Sequence, residues 1–119
     1  MIDPGTTALI LIGYQRDYFD SDGILYGVVE EELRSGNTLQ NTLGLIDAFK
    51  ETNLSMVRTP LVFSENYEEL DNPIGILKTI RDVKAFRQGT RGGETIDAIS
   101  AYGDRIEEVR GKLGFNAFA

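Results

Sequence analysis

The sequence predicts an α/β fold built on a parallel sheet. Three observations lead to this prediction: an apolar strand at residues 6–12, a helical apolar pattern at residues 37–50, and a second strand at residues 55–59. Two buried strands joined by a helix favour a parallel crossover connection. Buried strands that alternate with helices are typical of the α/β class.

The first predicted strand, residues 6–12 (TTALILI), is continuously apolar after its two threonines. A strand with one wet face would alternate apolar and polar residues, and this one does not. Such a run is typical of a strand covered on both faces, as in a parallel sheet. Gly13 ends it.

The first predicted helix covers residues 37–50, where apolar residues recur at spacings of four, three and three. These residues are Leu39, Leu43, Ile46 and Phe49. Asn37 is a candidate N-cap with Gln40 three residues later. Asn53 is a candidate C-terminal stop, because Asn tolerates the left-handed conformation.

The rest of the chain continues the alternation. After Pro60 the second strand resumes at residues 61–63, and residues 74–83 form a second helix. Residues 89–93 (GTRGG) form a turn, and a short helix follows at residues 94–101, with an acid at its start that suits the helix dipole.

A third strand is predicted at residues 105–110, although Ile106 and Val109 are its only aliphatic residues. If the topology is right, the three strands at 7–12, 55–59 and 105–110 are parallel neighbours.

Composition excludes the common catalytic centres. The chain has 119 residues, a length that fits one domain. It contains no Cys and no His, which rules out a Ser-His-Asp triad, a Cys-His dyad and a zinc site with N or S ligands. No cofactor and no metal are implied.

Charge and hydropathy limit the classes of partner that we expect this chain to bind. The net charge of −7 gives no counterion-release gain on a nucleic acid, so nucleic-acid binding is not expected. No apolar segment approaches the ~20 residues that span a bilayer, and the N-terminus lacks the basic start of a secretory signal. We therefore expect a cytoplasmic protein without a membrane partner.

Three segments carry a family resemblance. Residues 9–19 (LILIGYQRDYF), 86–94 (FRQGTRGGE) and 108–118 (EVRGKLGFNAF) resemble the isochorismatase-like cysteine hydrolases, in the family's order. The matching patterns are an apolar strand followed by Asp-x-Gln-x-Asp-Phe, a Gly-Thr-x-Gly turn, and Lys-x-x-Tyr/Phe-Ser-Ala-Phe. Together they cover nearly the whole chain, so residues 1–119 are read as one partial domain of this type.

The resemblance implies a three-layer α/β/α fold with a mostly parallel six-stranded sheet, whose C-terminal strands we expect to be missing from this chain. It also implies hydrolysis of small-molecule amide, carbamoyl or vinyl-ether bonds. In this family a Cys attacks the carbonyl, an Asp after the first strand takes the thiol proton, and a Lys near the third strand lowers the pKa of the thiol.

Residue by residue, the resemblance places Lys112 at the catalytic Lys position and Gly13 at the vacant position of the Asp. Gln15 and Asp17 match the structural motif that follows it. Asp17 is an alternative base because residues i and i+4 share a helical face, but we do not favour it. The nucleophile is absent because the chain has no Cys.

Several of these residues also have a simpler, structural interpretation. Phe19, Phe115 and Phe118 are candidates to line a substrate pocket, although buried aromatics are more often core. Residues 89–93 could cradle an anion through backbone N–H groups, but a simple turn is the better interpretation. Lys112 read without its neighbours is an exposed Lys after a strand.

Three functions are left open. The chain is half of an active hydrolase completed by another chain that supplies Cys, or a degenerate and catalytically incompetent member that binds a partner or a small molecule, or an unrelated small α/β binding domain. The double loss of Cys and of the acid at Gly13 favours the second. Because a three-stranded sheet has an open edge, we expect another polypeptide as partner, either a complementing fragment or a second copy.

Overall fold

A computed structural model describes residues 1–111 of the chain. Three residues predicted for the site, Lys112, Phe115 and Phe118, lie outside these described residues. Within residues 1–111 the chain forms three strands and five α-helices, in the order β1 (Ala8–Ile12), α1 (Arg16–Phe19), α2 (Tyr26–Ser35), α3 (Thr38–Phe49), β2 (Ser55–Thr59), α4 (Gly75–Val83), α5 (Asp97–Ser100) and β3 (Glu107–Glu108).

The sheet has the order β1-β2-β3, and both strand pairs are parallel. Ala8 lies opposite Ser55 and Ile12 opposite Thr59, so β1 and β2 are paired over their full lengths. The prediction of an α/β fold with a parallel sheet is therefore confirmed. The bounds of β2 are those predicted from the sequence.

The third strand is shorter than the predicted 105–110. Its predicted first residue, Arg105, binds the C-terminal end of α3 and is not part of the strand. Arg105 ends a 3₁₀ turn, and only Glu107–Glu108 form β3. Its guanidinium donates hydrogen bonds to the carbonyls at and beyond the C-terminal end of α3. The acceptors are Phe49 O, Lys50 O, Thr52 O and Leu54 O, at 2.6 to 3.2 Å.

Helix α3 confirms the predicted helix at 37–50, and Ile46 is its fully buried residue. Asn37 is the N-cap residue, as predicted, but it lies in a left-handed conformation (φ 47°) and its side chain makes no capping bond. The predicted C-terminal stop at Asn53 is wrong. The helix ends at Lys50 with ordinary helical angles, and Asn53 does not adopt the left-handed conformation.

Helices α1 and α2 were not predicted from the sequence. Helix α2 carries a weak apolar stripe, because Tyr26, Val29 and Leu33 recur at spacings of three and four and are half-buried. The glycines and acids of this segment masked that stripe in the sequence. The acidic run at residues 30–32 lies exposed along α2, which fits the interpretation as a solvated face. None of the helices within residues 1–111 is both long and apolar enough to cross a membrane.

The core consists of two clusters of buried side chains. The first joins β1, β2, α3 and α5, and its members are Leu11, Ile46, Leu54, Met56, Ile96, Ile99 and Ile106. The second lies around α4 and the segments that follow β2 and α4, and its members are Leu25, Leu61, Phe63, Tyr67, Ile80, Ala85 and Phe86.

Strand β1 is covered on one face only by the described residues. Leu11 is buried, whereas Ile10 and Ile12 on the other face are 36% and 50% exposed. The sequence predicted a strand covered on both faces, so the described part of the chain departs from that prediction. The alternating burial shows that the α3 and α5 side is filled and the opposite side is open.

Candidate functional site

Gly13 lies directly after β1, at the carboxyl end of the sheet, with a φ of +77°. This is a conformation that residues with a side chain rarely adopt. A Cβ built on Gly13 would meet the ring of Tyr18 at 3.5 Å, which is an ordinary contact. The position therefore has room for a side chain but a backbone suited to glycine.

Tyr18 is the residue whose ring lies beside the space that a side chain at Gly13 would fill. Its ring also packs on Phe86, with ring centroids 4.8 Å apart. Burial raises the pKa of Tyr18 above its ordinary value of 10.0. At neutral pH the phenol is therefore protonated, and it cannot accept a proton from a nucleophile beside Gly13.

Gln15 is fully buried and joins the segments that follow β1 and β2. Its Nε2 donates to the carbonyls of Leu61 (2.6 Å) and Gly93 (2.9 Å), and its Oε1 accepts from the N–H of Leu61 (2.8 Å). Both polar ends of the amide are thus satisfied by backbone groups. The side chain replaces the sheet hydrogen bonds that end when β2 ends at Thr59.

Asp17 is buried on α1 and holds the segment after α4. Its Oδ2 accepts the N–H of Phe86 at 2.7 Å. Phe86 has a φ of +53°, which is unusual for an aromatic residue and needs such a fixed partner. Gly92 packs against the same carboxylate so closely that a Cβ there would collide with it. Asp17 is therefore engaged in holding the backbone together.

Arg16 connects the start of α1 with the residues before and within α5. Its guanidinium binds the carboxylates of Asp97 (2.6 Å), Glu94 (3.3 Å) and Asp20 (3.5 Å). Burial alone would lower the pKa of Arg16, but hydrogen bonds and charge from Asp97 and Asp20 raise it overall. Nothing in the local sequence signals this role, because two of its partners lie about 80 residues away in the chain.

An open cleft of about 340 Å³ lies where β2 and β3 end. Ligands commonly bind outside the carboxyl ends of parallel strands. Its charged groups pair with one another: Arg58 binds Glu108 at 3.1 Å, and Arg110 binds the same carboxylate at 2.8 Å. Within residues 1–111, no group of three or more His, Cys, Asp or Glu side chains could hold a metal ion.

The sequence model of the isochorismatase domain matches residues 7–119. The chain belongs to the isochorismatase family. Membership in this family suggests a hydrolase and agrees with the parallel α/β sheet. No curated protein matches the chain.

The structure places the residues singled out by the isochorismatase resemblance in different settings. Gly13, Gln15 and Asp17 follow β1 within five residues, as described above. Phe19 stacks on Tyr14, with centroids 5.0 Å apart, and packs against the first core cluster. Residues 89–93 form a turn that ends in a short 3₁₀ helix. The carbonyl of Gly93 in this helix accepts a hydrogen bond from Gln15 Nε2.

Thr59 ends β2 next to Ile12, and sequence reasoning did not single it out. Its Oγ1 is buried and finds no hydrogen-bond partner among residues 1–111. A buried hydroxyl without a partner costs free energy, because folding removes its hydrogen bond to water. The end of β2 therefore carries a polar atom that does not stabilise the described fold.

We expect a Thr59→Val variant to be more stable than the unmodified chain by about 1 kcal/mol, because valine keeps the shape and removes the unpaired hydroxyl. The matched control is Thr42→Val. The Thr42 hydroxyl shares a 2.7 Å hydrogen bond with Tyr14 and donates to Thr38 O, so its loss should destabilise the chain. Urea denaturation measures both variants. Equal destabilisation by the two substitutions would contradict the unpaired state of Thr59.

Proposed function

We propose that this chain is a non-catalytic member of the isochorismatase family that functions by binding rather than by hydrolysis. One observation carries the proposal. Gly13, at the place where the family resemblance puts the proton-accepting Asp, has no side chain and a backbone conformation that disfavours one. The sequence also contains no Cys to act as nucleophile.

The neighbouring groups support this proposal because none is suited to take the place of the missing acid. Tyr18 is protonated at neutral pH, since burial raises its pKa. Asp17 accepts the N–H of Phe86 and is enclosed by Gly92. Arg16 is held by three carboxylates and carries no lone pair for a proton.

The second candidate function is half of an active hydrolase. The family match extends over residues 7–119 and so includes Lys112, which the resemblance places at the catalytic Lys position. Another polypeptide could supply a Cys to such a site. It would not restore a carboxylate at Gly13, and for this reason we favour the non-catalytic function.

A Gly13→Asp variant tests whether the missing carboxylate or the missing nucleophile prevents hydrolysis. We expect it to lower the free energy of unfolding by about 1 kcal/mol, because the φ of +77° strains a residue with a Cβ. We also expect no hydrolysis of a panel of small amides, because the chain still lacks a nucleophile. Gly13→Asn is the matched control, since Asn has the same shape and tolerates the same backbone but has no carboxylate.

Ammonia release and urea denaturation measure the two effects. Turnover by the unmodified chain would overturn the non-catalytic proposal. Turnover that appears only in Gly13→Asp, and not in Gly13→Asn, would contradict the absence of a nucleophile and would identify the missing carboxylate as the one decisive loss.

A further inference from the structure

Positive charge is concentrated in one segment of this acidic chain. Residues 78–91 contain five cations and one acid, a net charge of +4, whereas the other residues contain seven cations and 18 acids, a net charge of −11. The five cations are Lys78, Arg81, Lys84, Arg87 and Arg91. Charges of one sign that lie close together create a local potential, which attracts groups of the opposite sign. This segment therefore attracts anions, whereas the rest of the chain repels them.

These cations lie on the surface of the protein. The side chains of Lys78, Arg81 and Arg91 are 58%, 40% and 69% exposed, and Lys84 is exposed as well. The carboxylate of Asp20 approaches Arg91 only to 3.9 Å. The positive charge is thus accessible to a partner.

The chain itself neutralises this charge only in part. A single carboxylate, that of Asp82, binds both Lys78 (2.9 Å) and Arg81 (3.3 Å). Within residues 1–111, neither Lys84 nor Arg87 forms an ion pair. The segment therefore keeps positive charge that a partner's carboxylates can bind.

Apolar side chains lie beside these cations on α4. Ile80 is fully buried in the second core cluster and so fixes the helix to the fold. Ile74, Ile76 and Val83 remain 82%, 42% and 40% exposed. Ile76 and Val83 lie on the same side of the helix as Ile80, at the margin of its buried face. A surface that combines exposed apolar side chains with cations fits a partner that offers both apolar and anionic groups.

We propose that the α4 surface binds an acidic segment of another polypeptide. The α4 surface consists of Ile74, Ile76, Lys78, Arg81, Val83 and Lys84. The inference goes beyond the non-catalytic function and does not depend on it, because a docking surface can serve an active or an inactive chain. Helix α4 has nine residues and is about 13 Å long, which suits a peptide segment better than a single small anion.

The charge of the other residues favours a short acidic segment over an extended polyanion. A nucleic acid or an anionic bilayer extends far beyond the Debye length of about 10 Å, so it would also face the net charge of −11. A second copy of this chain brings a net charge of −7 and meets the same repulsion. A peptide segment can confine its acids to the α4 surface and bring apolar side chains to Ile74.

The probe is a fluorescein-labelled peptide of Glu-Glu-Leu-Ala repeats, and fluorescence anisotropy measures its binding to the full chain at low salt. We expect Lys84→Glu to weaken binding about fivefold, because a carboxylate then faces the acids of the peptide. Lys50→Glu is the matched control, since Lys50 is also exposed at the C-terminal end of a helix and its replacement changes the net charge equally. Equal weakening by the two substitutions, or no binding by the unmodified chain, overturns the proposal.

Ile74→Ser tests the apolar part of the α4 surface. Ile74 is 82% exposed and precedes α4, so its replacement should leave the circular dichroism spectrum unchanged and weaken peptide binding about threefold. Val28→Ser is the control, because Val28 is 62% exposed on α2 and should leave the affinity unchanged. A peptide with Gln in place of Glu should bind at least about tenfold more weakly. Equal binding of the two peptides overturns the recognition of acids.

Other polyanions are measured alongside the peptide. A short DNA duplex and vesicles of phosphatidylserine should bind more weakly than the peptide, because both extend over the acidic remainder of the chain. Peptide binding should weaken as salt rises from about 10 to about 300 mM. Tighter binding of the DNA or the vesicles that Lys84→Glu abolishes and Lys50→Glu does not would overturn the choice of a polypeptide.

Discussion

A Gln15→Leu variant is expected to lose about 3 to 5 kcal/mol of its unfolding free energy, the largest effect of a single substitution that we predict. Leucine fills a similar volume but makes no hydrogen bond. The N–H and C=O of Leu61 and the C=O of Gly93 would lose their partners at a site where Gln15 is fully buried. Each unpaired buried group costs about 1 to 3 kcal/mol.

Urea denaturation measures this loss. Gln40→Leu is the matched control, because Gln40 is exposed on α3, whereas Gln15 is fully buried. We expect the control to change stability by less than about 0.5 kcal/mol. Similar small losses in both variants would mean that Gln15 does not connect the two strand exits as described.

Arg105→Leu is expected to cost about 2 to 3 kcal/mol, because one guanidinium serves four carbonyls around the C-terminal end of α3. Hydrogen bonds from a charged donor contribute about 1.5 to 3 kcal/mol to stability. Arg105→Lys should recover only part of the loss, since an ammonium cannot reproduce the planar arrangement of five donors.

Thermal and urea unfolding of the Arg105 variants give the comparison. Arg34→Leu is the control, because Arg34 lies exposed on α2 and pairs only with Glu31 in the described part of the chain. Surface pairs of this kind contribute little. A loss for Arg105→Leu no greater than for Arg34→Leu would contradict the capping role.

The elements that sequence reasoning found are those whose stability is local or strongly patterned. Residues 55–59 form a strand with the predicted bounds, and residues 37–50 contain the predicted helix. Helix α2 was missed because its apolar stripe is short, with only Tyr26, Val29 and Leu33, and stands among glycines and a run of three acids.

The third strand was predicted too long for a different reason. The local sequence is compatible with a strand that includes Arg105. Its side chain, however, binds carbonyls at and beyond the end of α3, which lie more than 50 residues away in the sequence. Long-range contacts of one side chain cannot be read from a single sequence. The open face of β1 is a similar case, because a continuous apolar run indicates what a strand prefers to bury and not what covers it.

The candidate site was predicted in part. Sequence reasoning placed Gly13 directly after the first strand and named Gln15 and Asp17 as a structural motif. The geometry gives that motif a folding role that is independent of any reaction, since both side chains bind backbone groups of other segments. Arg16 and Thr59 could not be identified, because their significance depends on partners that only the folded chain brings near.

We propose that the chain's own residues do not perform amide hydrolysis. The decisive measurement is ammonia release from a panel of small amides, compared between the unmodified chain and Lys112→Ala. The family resemblance places Lys112, alone among the residues of this sequence, at the position of a catalytic side chain. We predict that both proteins release ammonia at the rate of the heat-denatured blank. Release by the unmodified chain that Lys112→Ala abolishes would contradict the non-catalytic function.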